Sequence, residues 1–207
     1  MKERYTFGDN DAAADRLALL ARAFEPSSAR LLDDVRGEGA PRAVDLGCGP
    51  GYTTTLVHRA LGARETWGLD ASDRLVSRAR VQLQQERGDA GVVEFAVHDV
   101  TVAPFPVAEV DLFYARYLFT HIAAPTSVFH ACAGAAAAGA RMVIEDNCAL
   151  TSSDPLFADY YRRVGAMHAH YGQNMFVGER LPRIVSETAW TMERFDRTRI
   201  ELDAKVM

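Results

Sequence analysis

Val44-Asp45-Leu46-Gly47-Cys48-Gly49-Pro50-Gly51-Tyr52 is the stretch on which the reading of this chain turns. The apolar run from Ala43 to Leu46 has the character of a buried parallel strand, and three glycines then alternate with other residues before a helical pattern begins. Glycine permits a sharp turn with positive φ and lets a ligand come close to the backbone. A strand that feeds such a turn and then a helix presents backbone N–H groups at a positive helix N-terminus, which suits an anionic group or a nucleotide. The dinucleotide-binding fingerprint G-x-G-x-x-G would put its third glycine at position 52, where this chain has Tyr52. Here the third glycine is Gly51, giving G-x-G-x-G with Asp45 two residues ahead of it.

Asp70 closes the next apolar run, Glu65 to Leu69, and lies 21 residues beyond Gly49. An acidic residue at the end of the second strand of such a unit can accept hydrogen bonds from both hydroxyls of a ribose. The V-D-L-G-C-G-P-G run resembles motif I of the class I, Rossmann-like S-adenosylmethionine (SAM)-dependent methyltransferases, and Asp70 agrees with it. The opening Tyr5-Thr6-Phe7-Gly8-Asp9 looks like that of the bacterial small-molecule enzymes of this group, including those of secondary metabolism. The resemblance covers residues 40–146 with specific motifs and the remainder more loosely. It implies SAM as cofactor, with Gly47, Cys48, Gly49 and Gly51 at the loop, Asp45 ordering the turn, and Asp70 with Ala71 at the ribose. It further implies Asp99 and Val100 at the adenine, Ala115 at the end of the fourth strand, and Tyr5 closing over the methionine end.

Outward from the loop, strands alternate with helices, which predicts an α/β fold with a doubly wound, mostly parallel sheet. We expect a single domain with a helical cap over 1–39, a cofactor-binding core over 40–146, and a substrate-side region with the last strand over 147–207. The cap is expected as two helices broken at Pro26-Ser27-Ser28, the first carrying Leu17, Leu20, Ala21 and Phe24. A helix from Ser72-Asp73 should stop at Gly88, and Val92 to Val97 should form the third strand. Val110 to Ala115 reads as the fourth strand, running into a helix through Arg116 to Ile122. Pro125 to Ala138 reads as a helix ended by Gly139, and Arg141 to Glu145 as the fifth strand. Asp154-Pro155 opens a long helix whose apolar face carries Leu156, Tyr160, Val164, Met167 and Tyr171. A short helix near Leu181 to Thr188 and a last strand, Arg194 to Leu202, complete the pattern. The resembled fold has seven strands, so this count predicts a missing seventh. It leaves a shortened form, or an edge covered by another copy of the chain (a homodimer) or by a rearranged C-terminal segment.

Of 207 residues, 48% are hydrophobic and 25% charged, and the formal net charge is -5. These totals belong to an ordinary globular domain and offer no basic footprint for nucleic acid or anionic membrane. The [DN]-P-P-[YF] motif of amino-methylating nucleic-acid enzymes is absent after the fourth strand. Cys48, Cys132 and Cys148 have no C-x-x-C spacing, so a disulfide framework or a zinc site is not indicated and a reducing cytosol is expected. The most apolar run, Ala131 to Ala140, is too short to span a bilayer. The expected location is cytoplasmic.

Methyl transfer from a sulfonium is an in-line displacement, so a base is needed only where the nucleophile is protonated at working pH. His121, His168, His170, Tyr117 and Glu145 are the candidates, and His121, just past the fourth strand at the carboxyl edge of the sheet, is preferred. Asp146-Asn147 resembles the metal pair of catechol O-methyltransferases. That family's further carboxylate is replaced by Ala115-Arg116, so no metal is expected. Two other classes remain open: a catalytically silent protein that keeps the fold for binding or assembly, and an NAD(P)-dependent oxidoreductase.

Overall fold

The computed structural model describes residues 10–85 and 92–201. Tyr5, Gly88 and Leu202, all singled out above, lie outside them. Among the described residues five strands, β1 (Arg42–Leu46), β2 (Glu65–Asp70), β3 (Val92–Val97), β4 (Val110–Arg116) and β5 (Ala136–Glu145), form one parallel sheet in the order β3-β2-β1-β4-β5. Among the described residues six helices accompany them: α1 (Asp11–Val35), α2 (Tyr52–Leu61), α3 (Asp73–Gln85), α4 (Pro125–Ala133), α5 (Pro155–His170) and α6 (Leu181–Ser186). From β1 the chain steps outward through β2 to β3, then returns to the other side of β1 for β4. That reversal puts a crevice at the carboxyl ends of β1 and β4, where ligands of open α/β sheets bind.

Alternation along the strands supplies both faces of the sheet. Val44, Leu46, Phe113 and Ala115 pack on one side with Val128 and Phe129 of α4 and Ile184 and Val185 of α6. Ala43, Leu112, Tyr114 and Val143 pack on the other with Leu56, Val57 and Leu61 of α2 and the fully buried Leu32 of α1. Full burial of one such leucine contributes about 1.5–3 kcal/mol. Phe95, Val76, Ala79 and Cys48 make a third, smaller cluster beneath the glycine loop.

The cap is one helix rather than two. Asn10 caps α1 by accepting from the amide of Ala13 at 2.9 Å, and Pro26 sits inside it. Leu17, Ala21, Phe24, Ser28, Leu32 and Val35 keep a single helical phase across the proline, so the buried stripe is continuous. Burial along that stripe offsets the ~3 kcal/mol that an interior proline costs. Ser28 is fully buried and accepts from Arg116 at 3.1 Å, tying the middle of α1 to the end of β4.

The alanine run is also reassigned. Gly134 ends α4, and Ala136 to Ala140 belong to β5. Tertiary pairing overrides alanine's helix propensity here: β5 joins β4 with a register shift between Val110 and Leu112, and Gly139 has φ +76°. After β4 the chain makes only a short 3-10 turn, Phe119–His121, instead of a helix. Helix α5 starts at Asp154-Pro155 as expected but presents a different face. Val164 and His168 are buried and Phe157 and Tyr161 half-buried, whereas Leu156, Tyr160 and Tyr171 are exposed. Residues 190–201 have no regular structure, so the expected sixth strand does not form among the described residues. Charged side chains place this segment instead: Glu193 pairs with Arg141, Arg194 with Asp34, and Arg197 with Glu179. Among the described residues the sheet therefore ends at β5. No helix among the described residues is long and apolar enough to cross a membrane.

Candidate functional site

Gly47, Gly49 and Gly51 all have positive φ, at +69°, +53° and +89°. Their surroundings give them different jobs. A Cβ on Gly47 would lie 2.8 Å from Leu118 Cδ1, and one on Gly51 would lie 2.8 Å from Phe95 Cζ and 3.0 Å from Ala79 Cβ. Both therefore serve close packing. At Gly49 the nearest atom would be Leu17 Cδ1, 3.8 Å away, so this is where the loop opens toward a ligand.

Three tethers hold the loop. Leu69 O accepts from the amides of Gly47 and Cys48 at 2.8 and 3.0 Å. The carboxylate of Asp70 accepts from Gly49 N at 2.9 Å and from Ser72 N at 2.8 Å. Beneath them Asp45, 1% exposed, accepts from the hydroxyls of Thr53 and Thr54 at 2.6 and 2.7 Å. Burial is the main influence on Asp45 and raises its pKa to about 6, against the two threonine hydrogen bonds and the charge of Arg116. The Cys48 thiol is pushed up by burial and by the charges of Asp45 and Asp70, which makes it unreactive.

A cleft of ≈ 2500 Å³ opens over these carboxyl ends. That exceeds a single small-ligand pocket, roughly 300–1,000 Å³, because the space continues along β5 to residues 190–201. Gly47, Cys48, Gly49, Asp70, Ala71, Asp99, Val100 and His121 all line it. Asp45, Gly51 and Ala115 do not: Asp45 lies under the loop, Gly51 packs on Phe95, and Ala115 is fully buried within the sheet. Asp99 is fixed at the wall by its own turn, Oδ1 accepting from Thr101 N at 2.9 Å and Thr101 Oγ1 at 2.6 Å. His98 is wall as well, with its ring on Phe105 and Nε2 at 2.9 Å from Val102 O.

This rim fits a nucleoside. A carboxylate offers about four acceptor positions, and at Gly49 the loop leaves room above it. Asp99 and Val100 continue the same wall.

At the opposite side of the mouth stand the candidate bases. The rings of His121 and His168 are 5.1 Å apart, and Gln173 links them, its Oε1 lying 2.9 Å from His168 Nδ1 and its Nε2 donating to His121 O at 2.6 Å. Burial lowers the pKa of His121 to about 3, with further lowering from His168 and Arg16. Burial lowers His168 too. His170 is exposed and does not line the cleft. Tyr117 has φ +54° and packs edge-on against Phe24 at 5.0 Å, and burial pushes its phenol up. Glu145 accepts from Tyr114 OH at 2.5 Å. Burial raises Asp146 to about 7, yet its oxygens accept from the amides of Thr120 and Asn147 at 3.1 and 2.8 Å. It holds the 119–121 turn in place. Among the described residues no three side chains of metal-ligating type converge.

Sequence reasoning did not single out Arg16, Leu118, Tyr161 or the Asp45–threonine contacts. The helical phase of α1 was visible, but only the fold shows that this face covers the loop and carries Arg16 into the cleft.

A sequence profile described as a methyltransferase domain matches residues 43–139. Trans-aconitate 2-methyltransferase of Rhizobium meliloti is 31% identical over 118 residues, which is 56% of this chain and 42% of the relative. The chain thus spans less than half the length of that relative. Among solved structures, mitomycin 7-O-methyltransferase superposes with a TM-score of 0.65 at 16% identity, covering 89% of this chain and 54% of that one. Geranyl diphosphate C-methyltransferase from Streptomyces coelicolor gives 0.58 at 20% identity, covering 79% and 57%. At such identities the structures speak for the fold alone.

Proposed function

From the methyltransferase domain that residues 43–139 carry, we propose that this chain binds SAM and transfers its methyl group to a small-molecule acceptor. One observation carries the reading: the loop opens only at Gly49, and the Asp70 carboxylate clamps that position beside a nucleoside-sized rim. When bound, SAM supplies an activated methyl group on a sulfonium. The protein's part is placement. Asp70 and Ala71 take the ribose side, Asp99 and Val100 the base, and Asp45 keeps the loop in shape through Thr53 and Thr54. Leu17 of α1 stands over the loop, its Cδ1 3.8 Å from where a Cβ on Gly49 would lie. The names of the relatives, which act on trans-aconitate and mitomycin, support a small acceptor, and the net charge of -5 supports an acceptor other than nucleic acid. The three cysteines, without the spacing of a disulfide framework, support a cytoplasmic location.

Isothermal calorimetry with S-adenosylhomocysteine tests the proposal, with saturable one-to-one binding expected. Binding of NADH in its place would favour the oxidoreductase. Cofactor binding without turnover on any acceptor would favour the silent protein.

A further inference from the structure

Strands β4 and β5 end side by side, and their last paired residues carry opposite charges. Arg116 and Glu145 are register partners, so their backbones stand about 4.8 Å apart and their side chains leave the sheet on the same face. That face is covered by α1, which meets Arg116 through Ser28, and both charged residues line the cleft half-buried. Leu46 pairs with Ala115, so the chain enters the glycine loop at Gly47 directly beside Arg116. Just past the pair, Tyr117 takes φ +54° and its amide donates to Glu145 O at 2.8 Å, which locks the two strand ends together.

Each side chain is oriented by one contact and keeps capacity for more. Arg116 Nη1 donates to Ser28 Oγ at 3.1 Å, and Ser28 is fully buried. A guanidinium has five N–H donors. Among the described residues Arg116 makes this one hydrogen bond and no ion pair. Glu145 Oε1 accepts from the buried Tyr114 OH at 2.5 Å, which leaves Oε2 for another donor. The neighbouring carboxylates are committed, Asp45 Oδ2 to the hydroxyls of Thr53 and Thr54 beneath the loop and Asp146 to the amides of Thr120 and Asn147. A cation and an anion held one strand spacing apart, yet not bonded to each other, match a zwitterion.

We propose that Arg116 and Glu145 hold the α-amino-acid end of the cofactor, Arg116 taking its carboxylate and Glu145 its ammonium group. The proposal rests on the methyltransferase reading above. Two strand spacings, about 9.6 Å, separate the end of β2, where Asp70 takes the ribose, from the end of β4. An extended homocysteine chain with a hydrogen bond at each end covers that distance. Exchanging the two groups would set like charge against like, so the pair admits one orientation. With the nucleoside and the amino acid both fixed, the sulfur between them has one place to sit, which aims its methyl group.

The test compares three ligands by calorimetry on the full chain. S-adenosylhomocysteine carries both charged groups, S-adenosyl-3-thiopropylamine lacks the carboxylate, and 5′-methylthioadenosine lacks both. Arg116→Gln should weaken S-adenosylhomocysteine at least ~10-fold and leave the other two unchanged. Glu145→Gln, which keeps an acceptor for Tyr114, should weaken the first two and leave 5′-methylthioadenosine unchanged. Arg116→Lys, the milder change should the glutamine variant not fold, should weaken S-adenosylhomocysteine alone and by less. Wild-type affinity for S-adenosylhomocysteine in either glutamine variant would overturn the subsite while leaving the methyltransferase reading intact. So would equal losses for all three ligands, or a wild-type chain that binds S-adenosylhomocysteine and the propylamine equally. Failure of S-adenosylhomocysteine to bind the wild-type chain would overturn that reading, and the subsite with it.

Discussion

The backbone amide of Gly49 donates to the side chain of Asp70 at 2.9 Å, joining residues 21 positions apart. Asp70 therefore clamps the loop before any ligand arrives. Asp70→Ala should weaken S-adenosylhomocysteine binding by ~1.5–3 kcal/mol and also lower the unfolding temperature, because a charge-assisted bond within the fold is lost as well. Calorimetry beside thermal unfolding checks both. A folded variant with unchanged affinity would remove Asp70 from the ligand site.

The glycines should separate by function. Alanine at either Gly49 or Gly51 carries the left-handed backbone penalty of about 1–2 kcal/mol. Gly51→Ala should lose roughly 1–3 kcal/mol more, since its methyl meets Phe95 and Ala79, and Phe95→Leu should recover part of that. Gly49→Ala should stay closer to wild type in denaturant melts yet bind ligand more weakly. Equal stability losses would contradict the assignment.

Asp45 makes stability fall with rising pH. Its pKa is raised from 3.8 to about 6, so the folded state holds the proton more tightly than the unfolded one. The stabilisation is whole below about pH 4 and lost as pH passes 6, a change of about 3 kcal/mol. Asp146, raised to about 7, acts in the same direction. Asp45→Asn should flatten its share of the slope between pH 4 and 6, as read by urea unfolding at several pH values.

His121 acts with the opposite sign. Its pKa falls from 6.5 to about 3, so the unfolded chain takes up a proton that the folded chain refuses. Stability is whole above pH 6.5 and lost as pH drops toward 3, by on the order of a few kcal/mol. His121→Gln should lessen that acid sensitivity. In turnover the same variant should lose less than the ~10²–10⁴-fold expected of a general base.

The loop and its alternation with the strand were legible because three positive-φ positions and a two-sided apolar strand leave marks in sequence that few other structures share. The acidic end of β2 was legible from spacing, though its contact with Gly49 was not, since backbone amides are invisible in a sequence. Pro26 misled because propensity is local, while the stripe through Leu17, Phe24, Ser28 and Leu32 is satisfied only by packing on α2 and β4. Ala136 to Ala140 misled for the same reason. The face of α5 was misjudged by one position, because Tyr160 and Tyr171 are as apolar as Tyr161 and Phe157, and only the cleft decides between them. Arg194 to Leu202 reads as a strand in sequence, yet Arg194 and Arg197 are taken by ion pairs with side chains elsewhere.

Helix α1 is pinned near one end by Leu17 above Gly49 and at the other by Val35, whose carbonyl accepts from Arg141 of β5 at 2.9 Å. A rod of this length, about 37 Å, cannot lift from the loop without either dragging the sheet's last strand or flexing partway. Pro26 lies between the two pins, at the place where the helical ladder lacks a donor. Any bending of α1 that admits a ligand beneath it would therefore concentrate at this one residue, away from the side chains that line the cleft.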